Sequence, residues 1–393
     1  MKYKLLLFIP FLISIYLNPC YAEKKDTLNS KHILSNLDSL RIAKVSLGKF
    51  KITPFIVPSY TPETELLISG GGLISYSIQK KNKKLSRSSI SFEAGYSTNR
   101  SKTGSITSTI YGKNDKTRFY TNYWMRNMPD RYWGVGYDYG RNQVNSDSTT
   151  LYYRNWFRIN HKTLFRVNDK IFIGFIIDYN STIAKDLNPV MNNDEYILKY
   201  GTDIKNTGFG ITLQYDTRDY VQNAYEGYLL EGNYTNYNSL ITNDFRFSIL
   251  NFDLRKYITL SRHRQTLALQ CRSRVGLGDV PWTNLSQLGS PNDLRGYFWG
   301  RYRDKSYLYG IAEFRHMFKR FKPSITGSMD SRLGYVLWCG FGSISKKITG
   351  FKKWLPNYGL GLRFEVQPRL NFRIDYGFGN DSKAMYFTFA ESF

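Results

Sequence analysis

Four histidines, His32, His161, His263 and His316, are the side chains of this chain best suited to moving protons or binding metal near neutral pH. None has a second histidine three or four residues away or a cysteine beside it, so their spacing supplies neither a zinc nor a haem site, and no cofactor is expected. A hydrolase would need a serine, a base and an orienting amide or carboxylate. His161 or His316 would have to be that base, yet no G-x-S-x-G elbow occurs, so the chain does not read as an enzyme. Three cysteines are too few for a disulfide scaffold or a zinc cluster. What remains is ionic chemistry: 55 Lys+Arg stand against 31 Asp+Glu, a formal charge of +24. Lys80, Lys81, Lys83, Lys84 and Arg87 form one basic cluster, and Lys346, Lys347, Lys352 and Lys353 form another.

The elements that position these residues are strands. From about Glu65 one pattern repeats: about ten residues with apolar or aromatic groups at every second place and polar groups or glycine between them, then a turn. In Gly208–Asp216, Phe209, Ile211, Leu213 and Tyr215 oppose Gly210, Thr212, Gln214 and Asp216. Leu267, Leu269 and Val275 oppose Gln270, Arg272 and Arg274, and Leu370, Phe372, Ile374 and Tyr376 oppose Asn371, Arg373 and Asp375. Tyr132–Gly140 has the same alternation, with Trp133, Val135, Tyr137 and Tyr139 as the outward set. Buried sandwich cores do not carry arginine at every second position; a barrel with a polar lumen and a lipid-facing exterior does. Beyond the N-terminus no apolar run reaches the roughly 18 to 20 residues of a membrane helix, and an aromatic content of 17% argues against disorder.

Candidate strands begin near residues 65, 88, 104, 117, 131, 149, 171, 206, 226, 244, 263, 304, 330, 356, 370 and 383. Sixteen is an even number, which suits a 16-stranded antiparallel transmembrane β-barrel of the outer membrane. On this count both basic clusters fall in extracellular loops, beside lipopolysaccharide phosphates. Cys271 and Cys339 lie two strands apart with lipid-facing parity, which separates them too far for a disulfide.

Lys2 and Lys4 precede the apolar run Leu5–Leu17 and a small-residue end at Ala22, the signature of a cleaved export signal over 1–22. Without those two lysines the balance is 53 against 31, or +22. A basic exported protein meets anionic lipid before nucleic acid, and no nucleic-acid motif is present. Residues 23–61 then form a short N-terminal periplasmic segment punctuated by Pro54, Pro58 and Pro62, and 62–393 the barrel.

Two motifs resemble the BamA/TamA-type bacterial surface-antigen family of outer-membrane assembly barrels. Leu294-Arg295-Gly296-Tyr297, followed by Gly300-Arg301-Tyr302-Arg303-Asp304, is similar to that family's loop after the eleventh strand, which folds into the barrel. Asp216-Thr217-Arg218-Asp219 with Glu226-Gly227-Tyr228 resembles its periplasmic turn after the eighth strand, with Ala224 where proline is usual. Pro62-Glu63-Thr64 before a glycine-rich strand, and Gly310–Arg315, extend the likeness over roughly residues 58–393.

The resemblance implies a loop arginine, Arg295, seated in the lumen on a carboxylate. The thirteenth-strand position where the family often carries that aspartate reads Trp338-Cys339-Gly340-Phe341-Gly342 here. Glu313, Glu365 and Asp375 have lumenal parity in neighbouring strands and are the alternative acidic partners. It also implies a seam between first and last strands, here the strands holding Gly70, Gly71 and Gly72 and holding Phe387, Phe389 and the final Phe393. The segment of 23–61 is too short for one polypeptide-transport-associated (POTRA) domain of the family.

Three functions compete on these residues. The first is insertion or export of proteins, or movement of lipid, through the seam, by a monomeric barrel working with unfolded clients and separate periplasmic factors. The second is a passive channel or ligand-binding barrel whose lumenal Arg272, Arg274, Arg363 and Arg373 favour anions. The third is a hydrolase.

Overall fold

The computed structural model describes residues 50–61, 64–78, 87–238, 245–260, 265–318, 332–367 and 369–393. The expected signal over 1–22, the rest of the N-terminal segment to residue 49, and Lys80, Lys81, Lys83 and Lys84 lie outside the described residues.

One antiparallel sheet of 16 strands follows chain order throughout. Its strands are β1 (Phe50–Thr61), β2 (Glu65–Tyr76), β3 (Ser88–Ser97), β4 (Lys102–Tyr111), β5 (Thr117–Arg131), β6 (Leu151–Arg166), β7 (Ile171–Lys185) and β8 (Asp203–Asp216). The second half comprises β9 (Gly227–Asn236), β10 (Phe247–Thr259), β11 (Gln265–Gly278), β12 (Ser306–Met317), β13 (Leu333–Ser345), β14 (Leu355–Gln367), β15 (Leu370–Phe378) and β16 (Lys383–Phe389). The sheet curls until β16 comes back to β1, making a transmembrane β-barrel. Alternation sets its two faces: in β8, Phe209, Ile211 and Leu213 are exposed outward, while Thr212, Gln214 and Asp216 are buried in the lumen. Among the described residues no helix is long and apolar enough to cross a membrane.

The total of sixteen is right because two misreadings cancel. Phe50–Thr61 is a strand of the barrel, paired along its length with β2, although the sequence reading leaves it in the approach segment. Its prolines mislead: proline is tolerated on an edge strand, and β1 is one. Tyr132–Gly140, in turn, is not a strand. Gly134 and Gly136 have φ of 93° and 105°, which turns the chain out of the sheet, and Tyr137–Asn142 is a short helix. Tyr132 and Trp133 are buried beneath the loops instead of facing lipid.

Strands before β6 are therefore shifted by one from the sequence count. The segment between β2 and β3, which holds the first basic cluster, follows an even-numbered strand and not an odd one. The end of β2 and the start of β3 lie at the end of the barrel where β16 finishes, opposite the long loops. Arg87, its described member, donates to Ser75 O at 2.7 Å.

Gly70, Gly71 and Gly72 also move away from the seam, because β2 is paired on both sides. A Cβ on Gly71 would stand 2.1 Å from the Phe92 carbonyl oxygen, and one on Gly72 would stand 2.8 Å from the Phe92 ring. Gly71 and Gly72 admit close packing of β3, whereas a Cβ on Gly70 would meet nothing within 4 Å.

Candidate functional site: a loop docked in the lumen

Between β11 and β12 the chain does not remain outside the barrel. Residues 279–305 run across the lumen, held together by a small ladder between Ser286–Leu288 and Tyr302–Asp304. One side of this loop is fastened to the wall of β6–β8. Asn284 Oδ1 accepts from Asn206 at 2.8 Å and from Asn180 at 3.3 Å, and the Trp282 indole donates to Gly201 O at 2.9 Å. The outer surface is capped by the β5–β6 connection, whose Gly136 N–H donates to Arg303 O at 2.8 Å, while Arg301 donates to Gly140 O at 2.8 Å.

The loop tip meets one side chain from each of the next five strands. Arg295, fully buried, pairs with Glu313 of β12 and with Asp375 of β15 at 2.7 Å. Its guanidinium lies 3.7 Å from the ring centroid of Trp338 on β13. Asn357 of β14 donates to Arg295 O at 2.5 Å. Gly296 N–H donates to the Tyr386 hydroxyl of β16 at 3.1 Å. Backbone packs on backbone here: Gly296 has φ of 114°, and a Cβ on it would lie 2.6 Å from the Phe378 carbonyl carbon. From the other side, a Cβ on Gly377 would lie 2.6 Å from the Arg295 carbonyl. Leu294 and Tyr297 flank the pair, both fully buried, and the Tyr297 hydroxyl donates to Pro356 O at 2.6 Å.

Around Arg295 the ionic network is dense. Arg315 binds Glu313 at 2.8 Å, and Asp375 receives Arg363 at 2.5 Å and Arg373 at 3.1 Å. Arg363 also reaches Glu391 at 2.9 Å. Buried charges that are paired and hydrogen-bonded in this way hold a geometry, because removing one partner strands the other.

Glu365, the remaining acidic candidate, is not in this network with Arg295; it faces Arg332 at 3.4 Å, nearer the end of β14. Strict alternation along β16 would put Glu391 on the lipid face unless the chain bulges there, and it does. Ala390 takes φ of 64°, which breaks the alternation just after β16 and turns Glu391, Ser392 and Phe393 into the lumen. Phe393 is thus not an aromatic of the last strand facing the bilayer. It is buried, with the Arg315 guanidinium 4.9 Å from its ring centroid. Phe387 and Phe389 do belong to β16.

At the opposite end of the lumen, the turn 217–226 is built on its motif. Asp216 accepts from Arg218 at 2.9 Å and from Arg118 at 2.7 Å. Asp219 accepts from Tyr225 N–H at 2.9 Å and pairs at 2.9 Å with Arg369, from the β14–β15 turn across the barrel. Gly227 has φ of 105°, and a Cβ there would lie 2.3 Å from Thr217 O. Ala224, in place of the usual proline, is buried.

The four lumenal arginines separate into two groups. Arg363 and Arg373 are locked in the network, whereas Arg272 and Arg274 line a cavity on the other side of the loop. His161 and His316 both lie on the outward face, bonded to Thr121 and Thr163 and stacked on Tyr335 respectively, so neither enters the lumen. Among the described residues no three His, Cys, Asp or Glu side chains converge to hold a metal.

Residues 76–393 match the Omp85 superfamily domain. The chain belongs to the Omp85 superfamily. Its fold resembles BamA from Haemophilus ducreyi lacking POTRA domains 1–3, at a TM-score of 0.54 and 11% identity, covering 87% of this chain and 70% of that one. CdiB from Escherichia coli aligns at a TM-score of 0.52 and 10% identity over 90% of this chain and 70% of that one. CdiB from Acinetobacter baumannii aligns at 0.50 and 13% identity, and this chain spans only 60% of its length. No curated protein sequence matches it. Family, strand number and lumenal loop together make this Omp85 chain an outer-membrane β-barrel of the BamA/TamA type.

Proposed function

We propose that this Omp85 barrel inserts or exports proteins at the outer membrane through the seam between β1 and β16, with the Arg295 loop closing the lumen and bracing the last strand. The observation that carries this reading is the weakness of the seam. The sheet order runs from β1 to β16, and among the described residues no ladder joins its two ends. β1 carries Pro54 and Pro58, which have no N–H to donate, and β16 is only 7 residues long against 12 in β1. Phe55 and Phe389 bridge the gap with ring centroids 6.0 Å apart. Elsewhere in the barrel every neighbouring pair is joined by a ladder, broken only by a register shift between Glu365 and Gln367 in the β14–β15 pair, so sideways opening costs least at this point.

Tyr386 links the two features, since its hydroxyl accepts from Gly296 N–H and donates to Tyr297 O at 3.3 Å. A shift of β16 would pull on the loop tip. The chain would draw on unfolded client proteins and on separate periplasmic factors, as a monomer, with Lys346, Lys347 and Lys352 exposed at the loop end toward lipopolysaccharide phosphates. Its work would be mechanical and require no catalytic group.

The test is reconstitution in liposomes with an unfolded client barrel. The chain would carry Phe55→Cys and Phe389→Cys in a Cys271→Ser, Cys339→Ser background, joined by a short thiol crosslinker. Client folding should accelerate with the uncrosslinked barrel, and crosslinking should abolish the gain. Acceleration that survives the crosslink would refute the seam. Ion conductance with anion preference, unchanged by the crosslink and by Arg295→Ala, would put the channel reading in its place.

A further inference from the structure

Between the loop and the walls of β5–β7 and β9–β12 lies a lumenal cavity of about 510 Å³, within the roughly 300–1,000 Å³ span of small-molecule sites. Its lining is not that of a water channel with one kind of group. Trp124 and Trp156 from the wall and Trp299 from the loop form an aromatic run, with centroid separations of 5.5 and 5.6 Å. Five cations face the cavity, Arg154, Arg158, Lys162, Arg272 and Arg274, against two carboxylates, Asp178 and Glu231.

Those two carboxylates are already engaged, Asp178 by Arg158 at 2.8 Å and Glu231 by Lys162 at 2.6 Å. Arg154 pairs with Asp130 at 3.1 Å. Arg274 has no carboxylate within 4.0 Å among the described residues; its one bond, 3.0 Å long, goes to the Ser286 hydroxyl of the loop. The Trp124 indole N–H and the Arg154 Nε–H are buried with no acceptor in the protein, and the Asn233 side-chain Oδ1 is buried with no donor. Asn122 and Asn251 add lining amides that make no side-chain bond within the described protein. A surplus guanidinium, donors and acceptors without a protein partner, and indole faces thus converge on one cavity. Buried polar groups left without partners are costly, so such a set points to an occupant that satisfies them.

We propose that this cavity binds a short acidic saccharide. Each part of such a ligand has a counterpart. A carboxylate matches the planar fork of Arg274 in a bidentate pair. Ring hydroxyls, which donate and accept together, suit the amides of Asn122, Asn233 and Asn251. The apolar C–H face of a sugar ring lies flat on an indole. A simple inorganic anion would use the guanidinium and leave the tryptophans and amides idle. Since Trp299 and Ser286 belong to the loop while Trp124 and Arg274 belong to the wall, the ligand bridges loop and barrel and holds the loop in place. This inference stands apart from the seam and does not depend on it.

The experiment uses the full chain refolded in detergent, with digalacturonate present during refolding and titrated afterward, followed by calorimetry and tryptophan fluorescence. Digalacturonate should bind saturably, with a matching change in tryptophan fluorescence. Maltose and inorganic phosphate should each bind at least about tenfold more weakly, and Arg274→Gln or Trp124→Leu should weaken digalacturonate about tenfold, one decade in Kd. Heat-modifiable mobility on gels would verify that both variants fold. Absence of saturable binding would overturn the proposal, as would wild-type affinity in both variants. Phosphate binding as tight as that of digalacturonate would overturn the saccharide and leave a bare anion site.

Discussion

The two halves of the lumen, separated by one loop, use the same residue types to opposite ends. On the β12–β16 side, four arginines, Arg295, Arg315, Arg363 and Arg373, interlock with three carboxylates, Glu313, Asp375 and Glu391. Backbone packs against backbone at Gly296 and Gly377, where even a Cβ would not fit. Across the β5–β11 side, cations again outnumber carboxylates, but there the tryptophans pack into a run along one side of a cavity. Arg158 and Arg272 keep side-chain exposures of 31% and 39% there, against 0% for Arg295 and Arg363. A positive surplus is thus not itself a binding site. Where volume is filled the charges make a latch, and where it is not they make a place for something else.

The comparison is broken most forcefully at Arg295. Arg295→Met removes the ion pairs with Glu313 and Asp375 and the contact with Trp338. Both carboxylates keep other guanidinium partners, so the loss should fall near 3 kcal/mol, the low end for breaking a buried pair. Urea unfolding in detergent would measure it, and trypsin should then cut the released loop at Arg301 and Arg303. A stability within 0.5 kcal/mol of wild type would show that the network does not hold the loop.

Gly377→Ala tests the same latch without touching a charge. Its Cβ would require the Arg295 carbonyl to retreat, and overpacking of this kind costs about 1–3 kcal/mol. The loop should again become sensitive to trypsin. Tyr386→Phe is gentler, removing only the bonds to Gly296 and Tyr297, with an expected loss of about 1 kcal/mol. In the open half, Arg274→Gln and Asn251→Ala should move stability by less than about 0.5 kcal/mol, since neither group holds a charged partner. Equal losses from both halves would erase the distinction.

How much of this was legible beforehand depends on whether alternation continues. β8, β11 and β15 keep it, so their lumenal residues could be read directly, and parity alone placed Glu313 and Asp375 on the right face. Arg295 itself required a motif, since nothing in the alternation of strands says that a loop of 27 residues turns inward. The failures have local causes. Glycines at every second position imitate strand alternation at Gly134 and Gly136, although positive φ at both bends the chain away. Prolines demoted β1 because a barrel's first strand is an edge only once the barrel is known. One left-handed residue, Ala390, moved Glu391 from lipid to lumen. Trp338 stands where the family motif leads one to expect a carboxylate, and its indole face receives the guanidinium instead.

The smallest expected effect lies at the loop's own turn. Asp293 accepts from Gly289 N–H at 2.7 Å, Ser290 N–H at 2.8 Å, Leu294 N–H at 2.5 Å and the Ser290 hydroxyl at 2.6 Å, and so shapes the approach to Arg295. Burial raises its carboxyl above the ordinary range, with those four bonds opposing. A carboxyl raised on folding contributes stability that is complete below its unfolded value and is lost as pH climbs through the folded one. The loop should therefore be held most firmly in mild acid and loosen slightly toward neutrality. Asp293→Asn keeps an acceptor for the backbone N–H groups and removes the titration. Tryptic cleavage requires neutral pH, so the measurement is hydrogen exchange of the Gly289–Tyr297 amides, corrected for intrinsic rates, from pH 4 to 8. Protection should fall across that range in the wild type and stay level in Asp293→Asn. A parallel fall in both would move the dependence to another group of the loop. Asp304, also raised by burial, is the one to substitute next.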